Sequence, residues 1–244
     1  MTPTIQTVLI SGKQGAGKTS LQNAIIGYNH NPDTVIVKVN FADPLYQIHD
    51  YCINLLKEHG ITRDIVKDGP LLQLIGTEWG RKTIDENIWV NMVKAKIDLI
   101  TRDPYKIGSI LTTQKFFDNK VSKLIFLVGD CRFKNELTGI PTALRVRLEC
   151  DRDLRKQRCS MWRENENHPS EVDLDEWAKV HGVFDLIYST EHQTPEFIAH
   201  SIMLHLNENK WYERRMKWKE ENRKKVLDEL EQSKSGKNEN GTVS

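Results

Sequence analysis

The chain has 244 residues, of which 38% are hydrophobic, and this is enough for one sizeable core in a single domain with insertions. Its 35 basic and 34 acidic residues lack the basic excess of proteins that bind nucleic acid polymers, so we expect small-molecule partners. No segment approaches the roughly 20 apolar residues that span a bilayer, and the first residues do not resemble a signal peptide. The four cysteines form no C-x-x-C pair. We therefore predict a cytoplasmic protein without a membrane segment.

Five short runs rich in apolar and β-branched residues predict strands. They cover 5–11, 34–40, 123–129, 143–149 and 185–189. Helical patterns lie between most of these runs, and this alternation favours a parallel sheet with helices on both faces. The predicted fold class is α/β.

The clearest helix follows the second strand. Asp43 is a candidate N-cap, Pro44 suits the first helical position, and Gly60 lies where left-handed geometry ends a helix. The apolar residues that are spaced to share its buried face are Leu45, Ile48, Cys52, Leu55 and Leu56.

Further segments complete the predicted organisation. Helices are predicted over 70–79 and around 88–97, and 101–122 is predicted to be an insertion. We expect the domain to cover 1–206. Residues 207–244 are charged and then rich in Ser, Gly and Asn, which predicts a solvated helix followed by a disordered tail.

The segment GKQGAGKT, residues 12–19, fits the pattern G-x-x-x-x-G-K-[ST] between a predicted strand and a predicted helix. Glycines allow consecutive backbone N–H groups to surround phosphate oxygens, and the helix N-terminus adds positive potential. In such a loop Lys18 reaches the β- and γ-phosphates, and the Thr19 hydroxyl ligates Mg²⁺. A chance glycine-rich turn is the alternative. The predicted ATP-binding residues are Gly12, Lys13, Gln14, Gly15, Ala16, Gly17, Lys18, Thr19 and Ser20.

Polar residues follow the third predicted strand. Asp130 can contribute to Mg²⁺ binding at the strand's carboxyl end, and Arg132 can hold a phosphate through two parallel hydrogen bonds. Ligands of open α/β sheets bind at these strand ends. An ion pair in a surface loop is the alternative reading.

An arginine-rich run follows the fourth predicted strand. Arg152, Arg155 and Arg158 are spaced by three on a probable helix, so we expect them to share a face, and Arg163 follows. Such a run is typical of a solvated basic face. It also fits a lid over about 151–172 that places arginines on the transferring phosphoryl group and excludes water.

Several further motifs, in their order along the chain, resemble the deoxynucleoside monophosphate kinases encoded by bacteriophages. The match spans about residues 5–205, and its motifs are FADPL (41–45), LLQLIGTEWGR and DENIWV within 71–90, GDCRFKNE (129–136), HPSE (168–171) and FDLIYS (184–189). The resemblance implies a P-loop kinase fold with strand order 2-3-1-4-5. It also implies transfer of the γ-phosphoryl group of ATP, with Mg²⁺, to a deoxynucleoside monophosphate (dNMP).

The resemblance also implies roles for individual residues. Arg81 and Arg132 would hold the acceptor phosphate, and the remaining acceptor-site residues would be Phe41, Asp43, Trp89 and Asp130. The catalytic set would be Lys18, Arg158 and Arg163, with Arg155, His168 and Glu171 in the lid. Three alternatives stay open: Asp43 is only an N-cap, Trp89 is only a core residue, and His168 is an ordinary surface histidine.

One departure from the family concerns the donor base. Family members often carry Asn-Asp after the fifth strand, where this chain has Ser189-Thr190-Glu191. The alternative functions are a kinase of the same fold that phosphorylates a hydroxyl, such as a dephospho-coenzyme A kinase, and a non-enzymatic nucleotide-binding adaptor. The preferred base stays open, and so does the choice between a monomer and a homodimer.

Overall fold

A computed structural model describes residues 3–61, 68–102, 121–140, 144–160, 162, 164, 167–208 and 217. Its strands are β1 (Thr4–Gly12), β2 (Thr34–Lys38), β3 (Lys123–Cys131), β4 (Leu144–Glu149) and β5 (Leu186–Ser189). They form one parallel sheet in the order β2-β3-β1-β4-β5. The α/β class and the strand order 2-3-1-4-5 are therefore confirmed.

Helices lie between the strands. They are α1 (Lys18–Tyr28), α2 (Asp43–Glu58), α3 (Gly69–Gln73), a π-helix (Leu74–Ile84), α4 (Ile88–Arg102), α5 (Lys134–Gly139), α6 (Arg152–Arg158), α7 (Pro169–Val172), α8 (Asp175–Ala178) and α9 (Pro195–Asn207). No helix among these described residues is long and apolar enough to cross a membrane.

The sheet separates two apolar clusters. Val8 and Ile10 of β1 pack in the cluster that contains Ile25 of α1 and Ile202 of α9. Leu9, which points to the opposite face, packs in the cluster with Trp89 of α4. The alternation follows from the two-residue period of a strand. β1 is the central strand because it lies between β3 and β4 in the sheet.

Helix α2 differs from its prediction in two ways. Its N-cap is Ala42, and the Asp43 carboxylate accepts the N–H of Asn40 at 3.0 Å instead of capping the helix. Leu55 and Leu56 are 42% exposed. The buried residues of the helix are His49 and Ile53. His49 faces the start of α3, where its Nε2 accepts the N–H of Asp68.

The helix predicted over 70–79 is a short α-helix followed by a π-helix that continues to Ile84. Packing against α4 accounts for this, because Trp89 Nε1 donates to the carbonyl of Gly76 at 2.9 Å. A Cβ at Gly80 would lie 2.5 Å from the Trp89 ring. Contact with Trp89 therefore determines the conformation of this segment, and helical periodicity alone predicts that conformation incorrectly.

The C-terminal end of α9 is tied to the sheet. The carbonyl of Leu206 accepts hydrogen bonds from Gln6 Nε2 at 2.9 Å and Lys123 Nζ at 3.2 Å. The predicted tail beyond Glu208 lies outside the described residues except for Lys217, as do positions 103–120 of the predicted insertion. The domain boundary near 206 stays a prediction.

Replacing Gly80 with alanine tests the packing of the π-helix. Gly80→Ala should lower the free energy of unfolding by about 1–3 kcal/mol, because the new methyl group would overlap Trp89. Gly27→Ala in α1 is the control, since a Cβ there meets no atom within 4 Å. We expect that change to be neutral or stabilising by up to about 1 kcal/mol. Urea unfolding measures both, and equal stabilities for the two variants would contradict the packing described.

Candidate active site

The glycine-rich loop joins β1 to α1 in the backbone geometry that the sequence requires. Gly15 and Gly17 have φ values of 77° and 90°, where a side chain is strained. A Cβ at Gly15 would also lie 2.6 Å from the carbonyl oxygen of Arg155. The loop therefore needs glycine at position 15 both for its own conformation and for its contact with α6.

Lys18 is buried at the start of α1. Its ammonium donates to the carbonyls of Gly12 at 2.7 Å and Lys13 at 3.0 Å. Burial and the neighbouring Arg132 lower the pKa of Lys18 to about 8, while Asp130 and Glu171 act in the opposite direction. The loop thus holds a cation that is less hydrated in the folded state, and an anionic ligand would stabilise its charge.

The arginines of α6 differ in burial and in their partners. Arg155 is buried and donates to the carbonyl of Gln14 at 3.1 Å, so it supports the P-loop. Arg152 is exposed and pairs with Glu164 at 2.6 Å. Arg158 is exposed and donates to the Thr190 carbonyl at 3.0 Å. Arg152 and Arg155 both lie against the ring of Trp162, with their Cζ atoms 5.9 and 5.4 Å from its centroid, so the expected shared face is found for these two.

A cavity of about 400 Å³ opens beside the P-loop. Eight predicted site residues line it besides Gln14: Phe41, Arg81, Trp89, Asp130, Arg132, Arg158, His168 and Glu171. Besides these charged residues, the lining includes apolar and aromatic residues, among them Leu45, Tyr46 and Leu72. This volume and mixed lining are typical of a small-molecule site.

Among the predicted acceptor-site residues, Asp43 is not placed in this cavity. Its carboxylate is engaged by Asn40 and by Lys96 at 3.5 Å. Asp43 therefore shapes the loop before α2, and its acceptor role stays a prediction. Arg163 lies outside the described residues.

Asp130 lies near the end of β3, and Arg132 is the first residue after that strand. Asp130 has a φ of 57°, the left-handed region that aspartate tolerates better than most residues. Both residues line the cavity. Strained backbone at a ligand site is a frequent feature of functional loops.

Glu136 of α5 is a residue that the sequence analysis did not select. Its Oε1 pairs with Arg81 Nη2 at 2.5 Å, and its Oε2 accepts the N–H of Arg132 at 2.7 Å. Burial raises the pKa of this carboxyl, although Arg81 opposes the shift. Glu136 therefore positions both cavity arginines. Its place at the third position of α5, where a glutamate commonly bonds the N-cap backbone, was the available signal.

The segment from His168 to Ala178 connects the cavity to the P-loop. His168 caps α7 by accepting the N–H of Ser170 at 3.2 Å, so it has a structural role as well as lining the cavity. Glu171 accepts the N–H of Gln14 at 2.9 Å and pairs with Arg132. Asp175 pairs with Lys13 at 2.7 Å. Carboxylates from one segment thus contact both the P-loop and an arginine of the cavity.

A second cavity of about 380 Å³ lies on the other side of the P-loop. It is lined by Gly17 and Ser20 of the P-loop region, and by residues 190–195 that follow β5. Arg158 lines both cavities, and its guanidinium donates to the Thr190 carbonyl beside the second one. Thr190 and Glu191 in this lining belong to the segment 189–191, where the sequence analysis expects the contacts to the donor base.

Within the described ranges no group of three or more His, Cys, Asp or Glu side chains could hold a metal. Mg²⁺ in phosphoryl-transfer sites is bound by one or two protein oxygens together with phosphates and water. The hydroxyl of Thr19 at the start of α1 and the cavity carboxylate of Asp130 fit that requirement.

No protein-family model matches the chain, and no curated protein sequence is significantly similar to it. Among solved structures, shikimate kinase from Acinetobacter baumannii, in complex with shikimate, is 14% identical, with 85% of this chain and 96% of that chain covered and a TM-score of 0.43. The tunicamycin resistance protein of Deinococcus radiodurans is 12% identical, with 82% and 95% covered and a TM-score of 0.44. A sugar kinase from Janibacter is 15% identical, with 84% and 95% covered and a TM-score of 0.38. At these TM-scores the similarity assigns no substrate to this chain.

Replacing Lys18 with methionine tests its burial as a cation. The folded-state pKa of about 8 lies below the ordinary value of 10.5, so charged Lys18 costs stability below pH 8. This cost disappears as the pH rises from 8 to 10.5. Lys18→Met should therefore raise the free energy of unfolding by about 2 kcal/mol at pH 7 and by much less at pH 10. Urea unfolding without nucleotide measures the difference, and a gain that does not change with pH would contradict this account.

Proposed function

We propose that this protein is a P-loop kinase that transfers the γ-phosphoryl group of ATP to the phosphate of a deoxynucleoside monophosphate. The observation that carries the proposal is the composition of the cavity beside the P-loop. Guanidinium groups and a P-loop residue line it together with aromatic and aliphatic side chains. A nucleoside monophosphate has two matching parts, a dianionic phosphate and a flat aromatic base with polar edges.

The acceptor phosphate is assigned to Arg81 and Arg132. Both line the cavity; the buried carboxylate of Glu136 holds the Arg81 guanidinium and the backbone N–H of Arg132, and Glu171 pairs with the Arg132 guanidinium. Arg81 also lies over the ring of Phe133, with its Cζ 4.1 Å from the ring centroid. A guanidinium that is fixed in advance can bind a phosphate with less loss of side-chain entropy.

The acceptor base is assigned to the other lining residues. Phe41, Leu45 and Trp89 supply apolar surface, and Gln73 and Thr77 supply polar groups. An amide such as Gln73 carries both a donor and an acceptor, so it can pair with more than one base edge. This lining supports a nucleotide as the acceptor and leaves the preferred base to experiment.

The donor phosphates are assigned to the P-loop and to the adjoining cavity. Lys18 would stabilise charge on the transferring phosphoryl group, and Arg158, which lines both cavities, would contact that group after leaving Thr190. Thr19 and Asp130 would hold Mg²⁺, which neutralises phosphate charge when it is bound. Arg163 keeps its implied role as a lid arginine in this proposal.

The chemistry needs no general base on the protein, because the attacking phosphate oxygen of a dNMP is already ionised at pH 7. Catalysis then consists of alignment and charge stabilisation. Lys18, Arg132 and Arg158 would hold the donor and acceptor phosphates in line, and closure of the α6–α7 region would exclude water.

A second candidate is a kinase of the same fold that phosphorylates a hydroxyl, as a dephospho-coenzyme A kinase does. The observation that favours it is Asp130, whose carboxylate lines the cavity and is suited to accept a hydroxyl proton. The adaptor alternative is weaker, because the P-loop, Lys18 and the cavity arginines form one assembled site.

A coupled assay of ADP release against a panel of dNMPs, ribonucleotides and dephospho-coenzyme A tests the proposal. We expect turnover with at least one dNMP, and a fall of about a hundredfold or more in Lys18→Met, because a main stabiliser of transition-state charge is lost. Circular dichroism serves as the control for folding. Wild-type turnover with the panel's hydroxyl acceptor alone, or unchanged turnover in Lys18→Met, would contradict the assignment.

Arg81→Lys tests the acceptor site separately. The lysine keeps a positive charge near Glu136 but loses the planar pair of donors, so the KM for the dNMP should rise about tenfold. The KM for ATP should stay within about twofold, since Arg81 bonds Glu136 and the Glu86 carbonyl rather than the P-loop. Steady-state kinetics with each substrate varied decides this. A rise confined to the KM for ATP would place Arg81 on the donor side.

A further inference from the structure

Glu171 links the two substrate sites through one buried carboxylate. Its side chain is 3% exposed, and its two oxygens have different partners. Oε2 accepts the backbone N–H of Gln14 in the P-loop at 2.9 Å, and Oε1 accepts from Nη1 of Arg132. A donor-site amide and an acceptor-site guanidinium are thus joined by a single side chain.

The segment that carries Glu171 is fixed on both sides of it. Before it, the ring of His168 accepts the N–H of Ser170 and caps α7. After it, Asp173 accepts the N–H of Lys134 at 2.8 Å, and Asp175 pairs with Lys13 and Arg147. These anchors hold the backbone of Glu171 between the P-loop and the loop that follows β3.

We propose that Glu171 is a positioning residue that couples Arg132 to the P-loop. This proposal rests on the proposed function in one respect: Arg132 is the arginine that binds the acceptor phosphate. Glu171 occupies Nη1 of Arg132 and orients the planar guanidinium, whose other N–H groups are the ones offered to the acceptor. The same carboxylate accepts the backbone N–H of Gln14. One residue therefore sets the distance between the acceptor phosphate and the donor phosphates.

The anchoring distinguishes this role from that of an anion that blocks the site. A blocking carboxylate would leave when a phosphate arrives, and its removal would improve binding and turnover. A positioning carboxylate stays, and its removal impairs transfer because the reacting groups are misaligned. Glutamine cannot replace it, since its single carbonyl oxygen can accept from Arg132 or from Gln14 but its NH₂ group would face the other donor.

A double-mutant cycle on ADP affinity tests the coupling without any acceptor. Arg132→Ala leaves the Glu171 carboxylate beside the P-loop without its guanidinium, and this uncompensated charge repels phosphates. We expect Arg132→Ala to raise the Kd for ADP about tenfold in the wild-type background and less than about twofold in the Glu171→Gln background. Calorimetry measures all four proteins. Arg132→Gln replaces the alanine variant if circular dichroism shows that the latter does not fold.

Glu176→Gln is the matched control, because it removes an exposed carboxylate from the segment after Glu171, one that pairs with Lys179. In its background Arg132→Ala should weaken ADP binding as in the wild type. With an accepted dNMP, Glu171→Gln should lower kcat about tenfold or more, and Glu176→Gln should change it by less than about twofold.

Each outcome decides between the alternatives. An equal effect of Arg132→Ala in the wild-type and Glu171→Gln backgrounds, or no effect in either, overturns the coupling. A higher kcat in Glu171→Gln overturns it in favour of a blocking anion. A wild-type protein that binds ADP but phosphorylates no dNMP contradicts the proposed function alone, because the ADP cycle does not require an acceptor.

Discussion

Charge balance around the P-loop is the constraint on which the rest of this site depends. In the proposed function Lys18, Arg81 and Arg132 bind phosphates, yet in the free protein they would repel one another in a poorly hydrated environment. Two buried carboxylates resolve the conflict: Glu136 pairs with Arg81, and Glu171 pairs with Arg132. Although burial opposes the shift, Glu171 and Asp130 raise the pKa of Arg132. Burial, and to a lesser extent Arg132, lowers the pKa of Lys18 to about 8. An anionic ligand beside Lys18 would offset this cost of burying its charge.

The parallel sheet makes this arrangement possible. All five strands point the same way, so the P-loop after β1, Asp130 and Arg132 at the end of β3 and the α6 segment after β4 meet at one edge. Helix α6 enters the P-loop environment through Arg155, whose guanidinium contacts the Gln14 carbonyl and whose own carbonyl lies where a side chain at Gly15 would be. The segment around Glu171 then closes the same edge from the other side.

The sequence predicts this architecture where local pattern determines structure. All five strands lie within a few residues of their predicted bounds, because each is a short apolar run that the sheet buries. Lys18 and the glycines of the P-loop were also identified, since a loop that surrounds phosphates requires those residue types at that spacing. Their positions follow from local chemistry that tertiary contacts do not alter.

The sequence does not predict features that depend on distant partners. The π-helix follows from contact with Trp89, and the Asp43 carboxylate is engaged by Asn40 and Lys96. Glu136 was not selected, and Glu171 was placed only in the lid; they pair with arginines that lie 55 and 39 positions away in the chain. Arg155 illustrates the same limit, because the spacing of the arginines does not show that its guanidinium contacts the P-loop.

The identity of the bond that is formed tests the central claim most directly. After incubation of the protein with Mg·ATP and each accepted substrate, ³¹P nuclear magnetic resonance distinguishes a diphosphate from a new phosphate ester. The account predicts two mutually coupled phosphorus signals from a deoxynucleoside diphosphate, formed together with ADP. A new uncoupled monoester signal on a hydroxyl, with the phosphate of the dNMP unchanged, would contradict it.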